Sequence, residues 1–382
     1  MTKPILIIPG FGGSLLVNVK KPTKTLFKKE VIYNRWLNLH PYSPGYMMQW
    51  KEDMQCELDI HKQKVVGYKN YDPDIQPYDL FGIDGVQNLV GDFEVLNKAH
   101  QDTFENMFHY RYFYHVNKAL LKKGYTPKKD LIGFPWDFRM ILDPTIRLYT
   151  FETLYRKIEE VVKQQEDKMT IVTHSLGGVF LKWFLEDYTT REWTRDYIER
   201  IILANAPFGG TPSAIKAVLI GDYYVPFLNK MFVDELRVNS AIIMGLPNTL
   251  AYHSSENFWK TDKHHTISIN QYHSLKNQNV SFRIWDDLYY SHIQRIAKPH
   301  TVPTTIFHTM GVETPHTFYS KTFHDSPYKI EYTDGDGMIP SESLRTATKI
   351  FPHHDIFSIK EGSHSDIISH PMFISNILDS LN

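Results

Sequence analysis

Residues 170–180, TIVTHSLGGVF, hold one serine between a histidine and a pair of glycines. Met169 to Val172 form a short apolar run suited to a buried strand. From Val179 to Tyr188 apolar and polar residues mix at helical spacing, with Phe180, Trp183, Phe184 and Asp187 set around a cylinder. Only a tight strand-to-helix turn fits between the two, and Ser175 sits on it. A serine hydroxyl is a poor nucleophile until a base takes its proton. A turn that exposes such a hydroxyl usually reads G-x-S-x-G. Here the five residues are Thr173-His174-Ser175-Leu176-Gly177, so a threonine stands where the first glycine is usual. Gly177 and Gly178 let the helix pass close behind the serine. The competing role for Ser175 is an ordinary helix cap.

Outward from this turn, strands and helices alternate. A first core strand is expected at residues 4–8. A helix follows over 104–121, with Phe108, Tyr112 and Val116 on one side and Gly124 as its stop. Residues 130–134 read as a brief strand running into PWDFR. A second helix covers 146–165, burying Phe151, Ile158 and Val162. Strand 169–173, the serine turn, helix 178–188 and strands 201–204 and 302–309 complete the series. Such alternation predicts a mostly parallel α/β sheet covered by helices on both faces, and the serine turn adds the expectation of an α/β-hydrolase fold, as one domain over residues 1–382. Residues 20–100, with many aromatics, scattered Pro, Gly and Asp and little periodicity, read as irregular excursions, and 250–300 is a long polar and aromatic section.

The 42 Lys and Arg nearly balance the 43 Asp and Glu, and no basic run is long enough to line a nucleic-acid groove. The single cysteine, Cys56, rules out an internal disulfide and a thiolate metal cage, and favours a reducing compartment. The opening MTKPILIIPGFGG breaks at Pro9-Gly10 after four aliphatic residues, too few for the apolar core of a signal peptide. No window approaches the roughly 18 uninterrupted apolar residues of a spanning helix. The expected setting is intracellular and cytoplasmic, with peripheral attachment to membranes.

A base and an orienting carboxylate should come from later strand ends, in the chain order Ser, Asp or Glu, His. YTDGDGMIPSESL offers Asp334 and Asp336 in a glycine-rich turn. EGSHSDIISHP offers His364 in a tight loop before an expected helix over 365–377. His370 is the weaker rival, placed inside that helix beside Pro371. On a turn of this kind the side chain of His174 points away from the hydroxyl, which suits packing or orienting. His353-His354-Asp355 lacks a third ligand at metal spacing, so neither a metal nor a cofactor is expected. Oxyanion donors should be the backbone N–H of Leu176 and one from PGFGG, best that of Phe11. A phosphate cradle is the rival reading of that loop, but no Lys-Ser/Thr pair follows it.

These residues resemble the lecithin:cholesterol acyltransferase family, which includes lysosomal phospholipase A2 and phospholipid:diacylglycerol acyltransferase. The resemblance is carried by PILIIPGFGG at 4–13, WLNL at 36–39, GFPWDFR at 133–139 and THSLGG at 173–178. It continues in NAPFGGTP at 205–212, GVETPHTFY at 311–319, DGDGMIP at 334–340 and GSHSDI at 362–367. It implies an acyl-enzyme on Ser175, Asp336 as the orienting carboxylate, His364 as the base, and Phe11 and Leu176 as oxyanion donors. In the family the position of Phe11 is often Asp or Cys, and secreted members carry a disulfide for which Cys56 has no partner. The resemblance further implies a membrane-binding insertion at 25–80 and a lid at 213–245 within a cap of about 213–300. Trp36, Tyr42, Tyr46 and Trp50, then Tyr223, Tyr224 and Phe227, suit a lipid interface. The expected activity transfers an acyl group from a glycerophospholipid at a membrane surface to a lipid alcohol or to water. The alternatives are hydrolysis alone, as a phospholipase, lipase or carboxylesterase, and a non-catalytic lipid-binding protein. The sequence assigns no oligomeric state.

Overall fold

A computed structural model describes residues 2–20, 31–34, 56–59, 64–68, 75–86, 112–221, 233, 236, 239–272, 290 and 292–381. Six strands form the central sheet: β1 (Ile5–Ile8), β2 (Leu131–Gly133), β3 (Met169–His174), β4 (Ile198–Ala204), β5 (Thr304–Met310) and β6 (His354–Lys360). Their order is β6–β5–β4–β3–β1–β2, and every neighbouring pair is parallel. The chain starts in the middle, steps out to β2, crosses back to β3 and then builds away on the other side. Loops leaving the carboxyl ends of β1 and β3 therefore diverge, which opens a crevice where open α/β sheets bind their ligands.

Strands β1 to β5 bury residues on both faces, as a sheet covered by helices on two sides requires, while the edge strand β6 is largely open to solvent. Leu6, Ile8, Ile132, Ile171, Ile201 and Leu203 pack on the helices Pro144–Gln165 and Leu176–Asp187. The alternate residues Ile5, Ile7, Leu131, Val172 and Ile202 pack on the helices Tyr114–Lys122 and Pro371–Ser380. Asp143 starts the long helix by accepting the N–H groups of Thr145 and Ile146, with Pro144 in its first turn. Of the helix expected over 104–121, residues 104–111 lie outside the described residues; the rest runs from Tyr114 and stops before Gly124 at φ 97°.

The helix expected over 365–377 is broken. Asp366–Ser369 is a short 3₁₀ turn and Pro371–Ser380 is a separate helix. Proline has no N–H to continue the turn and pushes the preceding residue out of helical geometry, so His370 is extended at φ −67° and ψ 131°. His370 thus caps the second helix, its Nδ1 accepting the Met372 N–H at 3.2 Å, instead of lying within a helix.

A second sheet has the order Thr266–Ile267, Trp259–Thr261, Val312–Ser320, Lys329–Gly335, which joins residues 259–267, within the stretch expected as a cap, to residues 312–335. The described ends of the expected lid are the helices Pro212–Ile220 and Ser240–Met244, both buried in the same core as the central sheet. Residues 222–232, with Tyr223, Tyr224 and Phe227, lie outside the described residues. So do Trp36, Tyr42, Tyr46 and Trp50. The described parts of 25–80 are short antiparallel pairs: Leu16–Lys20 with Val31–Asn34 and Ile75–Pro77, and Cys56–Asp59 with Lys64–Tyr68. No helix among the described residues is long and apolar enough to cross a membrane.

His292 makes the fold sensitive to acid. Among the described residues neither of its ring nitrogens has a hydrogen-bond partner, and its ring lies edge-on to Trp183 at 4.4 Å. Burial, helped by the charge of Arg147, lowers its pKa to about 3. The unfolded chain takes up this proton near pH 6.5 and the folded chain does not, so stability is lost as pH falls from 6.5 towards 3. Acidification from pH 7 to 5 should cost about 2 kcal/mol through this residue. Urea unfolding of wild type and His292→Leu at both pH values checks this. The variant should lose less stability by that amount, and equal losses would mean that His292 titrates freely in the folded protein.

Candidate active site

Ser175 follows β3 directly, at φ 54° and ψ −134°. This region is disfavoured for a residue with a Cβ and costs of order 1–3 kcal/mol. The turn is held by the Ser175 N–H on the Ala204 carbonyl of β4 at 2.8 Å, and by the Gly178 N–H on the Ser175 carbonyl at 3.0 Å. A Cβ at Gly177 would meet the carbonyl oxygens of Ile8 and Pro9 at 2.6 Å, so the helix reaches this close only with glycine. A Cβ at Gly178 would lie 2.7 Å from Ala206 Cβ and 3.2 Å from Thr173 Oγ1. The bare second glycine therefore makes room for the threonine that replaces the usual first one.

His364 comes from the loop after β6 and lies between Ser175 and Asp336. Its Nε2 is 2.9 Å from Ser175 Oγ and its Nδ1 is 2.6 Å from Asp336 Oδ2. Asp336 is 1% exposed. Its other oxygen accepts the N–H groups of Met338 at 2.9 Å and Ile339 at 2.7 Å. A carboxylate only accepts, so Nδ1 carries the imidazole proton and Nε2 presents its lone pair to the serine. Asp334, two residues earlier, is turned to other work. Its Oδ1 accepts the Gly311 N–H at 2.7 Å and its Oδ2 binds the Ser341 hydroxyl, stapling the turn that presents Asp336. His354 of β6 directs its Nδ1 to the Phe351 carbonyl at 2.6 Å.

The loop after β1 packs on Ser175 itself. A Cβ at Gly10 would lie 2.7 Å from Ser175 Cβ and 3.3 Å from its Oγ. The loop turns through the Gly13 N–H on the Gly10 carbonyl at 3.1 Å. Its support is GFPWDFR. The Trp136 indole N–H donates to the Pro9 carbonyl at 2.8 Å, and the Trp136 backbone N–H to Ser14 Oγ at 2.9 Å. The Phe11 ring meets Phe138 edge-on at 5.1 Å. Arg139, buried, holds Asp137 through two bonds of 2.8 and 2.7 Å. Leu176 opens its helix, so its N–H has no carbonyl one turn back to bond and stands beside the serine.

Three further side chains belong to the site. His174 Nδ1 is 2.6 Å from the Tyr112 hydroxyl and its Nε2 is 2.9 Å from the His364 carbonyl oxygen. Burial, and then proximity to His364, hold the His174 imidazole far below its ordinary pKa, so it is neutral. Asn205 Nδ2 donates to the same carbonyl at 3.0 Å and to Thr309 Oγ1 at 2.9 Å. Tyr112, expected on the apolar side of a helix, precedes that helix and faces the site instead. Nothing local marks it, because Tyr110, Tyr112 and Tyr114 crowd five residues. Asn205 carries a local signal only as the head of NAPFGGTP.

The model of the lecithin:cholesterol acyltransferase family matches residues 94–309. The chain is 27% identical to lecithin-cholesterol acyltransferase-like 1 of Arabidopsis thaliana, over 99% of this chain and 89% of that protein. It is 23% identical to the lysosomal phospholipase A and acyltransferase of Mus musculus, over 89% of this chain and 80% of that one. Among solved structures, a chain in the crystal structure of the Tle4-Tli4 complex superposes with a TM-score of 0.50, covering 98% of this chain and 97% of its own length at 12% identity. At that identity the likeness is one of fold.

Proposed function

Because the chain belongs to the lecithin:cholesterol acyltransferase family, we propose that its Ser175 takes an acyl group from a glycerophospholipid and passes it to a lipid alcohol or to water. The observation that carries this reading is one imidazole, that of His364, within hydrogen-bond reach of both a strained serine and a buried carboxylate. As Ser175 Oγ attacks the ester carbonyl, His364 Nε2 accepts its proton and Asp336 stabilises the imidazolium. The N–H groups of Leu176 and Phe11 receive the oxyanion, where loss of one such donor costs about 3–4 kcal/mol. The tetrahedral adduct expels the lysophospholipid oxygen, which leaves with the proton from His364. The incoming alcohol or water then gives its proton to the same nitrogen and attacks the acyl-enzyme, and the acyl–Oγ bond breaks as Ser175 Oγ takes that proton back. Which of them attacks depends on which occupies the vacated place and how far water is excluded.

The enzyme is an acyltransferase and phospholipase of the α/β-hydrolase type, acting on lipid. We read its encounter with substrate as peripheral, at a phospholipid surface, because each acyl CH2 moved from bilayer to protein must be compensated by about 0.8 kcal/mol of apolar burial. An intracellular setting fits the single cysteine, Cys56. Phosphatidylcholine vesicles labelled in the acyl chain and containing sterol, diacylglycerol or ceramide test the reaction. Label is expected in the acylated alcohol of at least one vesicle type and in free fatty acid. Fatty acid alone would remove the transferase half of the proposal, and label staying wholly in phosphatidylcholine would remove both.

A further inference from the structure

We propose that Tyr112 and His174 are a positioning pair that ties the oxyanion loop and the base loop to the nucleophile turn as one rigid unit. This rests on the reading of Ser175 and His364 given above. The hydrogen atoms can be placed in only one satisfactory way. The Tyr112 hydroxyl accepts the Gly10 N–H at 2.9 Å, so its single proton is available to His174 Nδ1 at 2.6 Å. The proton of His174 then sits on Nε2, where it meets the His364 carbonyl at 2.9 Å. The other tautomer would set a lone pair of Nε2 against that carbonyl oxygen and leave the tyrosine proton without an acceptor. Such mismatches in a buried site cost about 1–3 kcal/mol each. Both side chains are buried, His174 at 2% exposure, so water cannot substitute.

The pair reaches all three parts of the catalytic machinery. Tyr112 lies under both ends of the oxyanion turn: it binds the Gly10 N–H, and a Cβ at Gly13 would come within 2.5 Å of its ring. His174 is covalently next to Ser175. Its Nε2–H joins Asn205 Nδ2 on the one carbonyl that fixes the backbone of His364. Asn205 is itself fixed from β5, where its Oδ1 accepts the Thr309 N–H at 2.8 Å. The general base is thereby referenced to the same residue pair as the loop carrying Phe11. Neither side chain touches the reacting atoms, so their effect is on alignment. A misplacement of about 1 Å between base, nucleophile and oxyanion donors costs about 10²-fold in rate.

Tyr112→Phe, His174→Leu, His174→Gln and the Tyr112→Phe/His174→Leu double variant test this in the vesicle assay, at a temperature where thermal melts show each folded. Tyr112→Phe and His174→Leu should each lower kcat by about 10- to 100-fold with KM within about twofold. Affinity for a trifluoromethyl ketone analogue of the acyl chain, which forms a tetrahedral adduct, should fall in step with kcat. His174→Gln, whose amide can donate where Nε2–H did, should recover about tenfold over His174→Leu. The double variant should be no worse than the poorer single, because the two act as one strut. Wild-type kcat in both singles, or losses that multiply in the double, would overturn the pair. Should His174→Leu not fold, Tyr112→Phe decides alone. Activity surviving Ser175→Ala in the same assay would instead remove the nucleophile assignment beneath the proposal.

Discussion

Alanine at position 175 should abolish acyl transfer and hydrolysis together, with turnover lowered by about 10³-fold or more. In the proposed reaction both half-reactions pass through a bond to Ser175 Oγ, so no acceptor can bypass its loss. The fold should survive. Alanine retains the Cβ that the turn already holds at φ 54° and gives up the hydroxyl's bond to His364 Nε2. Mass spectrometry should find a protein species heavier by one acyl group in wild type during turnover, and none in the variant. Glycine at the same place should be equally inactive yet more stable by about 1 kcal/mol, because it removes the Cβ strain of the turn. Near-normal turnover by either variant, or a Ser175→Gly protein clearly less stable than wild type, would contradict the geometry derived for this turn.

The second large effect separates two aspartates that the sequence places side by side. Asp336→Asn should lower kcat by about 10³- to 10⁴-fold. The asparagine oxygen would be retained by the N–H groups of Met338 and Ile339, now served by Asp336 Oδ1. Its NH2 then faces His364 Nδ1 and can only donate, so the imidazole proton shifts to Nε2 and the base presents a hydrogen to the serine. Asp334→Asn keeps an acceptor for the Gly311 N–H and a group able to bond the Ser341 hydroxyl, and should cost less than about tenfold. Steady-state kinetics on the same vesicles, with melts to confirm folding, compare the two. A greater loss at 334 than at 336 would reverse the assignment of the orienting carboxylate.

Much of this protein is written in short-range patterns. Ile5 and Ile7 alternate with Leu6 and Ile8 because a strand buried on both faces needs apolar residues at every position, and the fold class follows from several such runs separated by helical spacing. The tight turn at Ser175 is legible from its flanking glycines, and the family from motifs spread in order along the chain. Even the break before Pro371 was available locally, since a residue preceding proline avoids helical geometry, although the apolar spacing of 365–377 masks it. Short-range patterns left Asp334 and Asp336 both open until the family resemblance pointed to Asp336. The tertiary structure places Asp336 against His364, joins residues 312–335 in one sheet with residues 259–267, and sets Tyr112 and Asn205 against His174 and the His364 carbonyl. These choices join residues far apart in the chain: 62 positions separate Tyr112 from His174, and 189 separate His364 from Ser175. Periodicity and turn chemistry express forces acting within a few residues. Which distant side chain completes a buried hydrogen bond depends on the strand order that brings loop ends together, and no local pattern encodes that order.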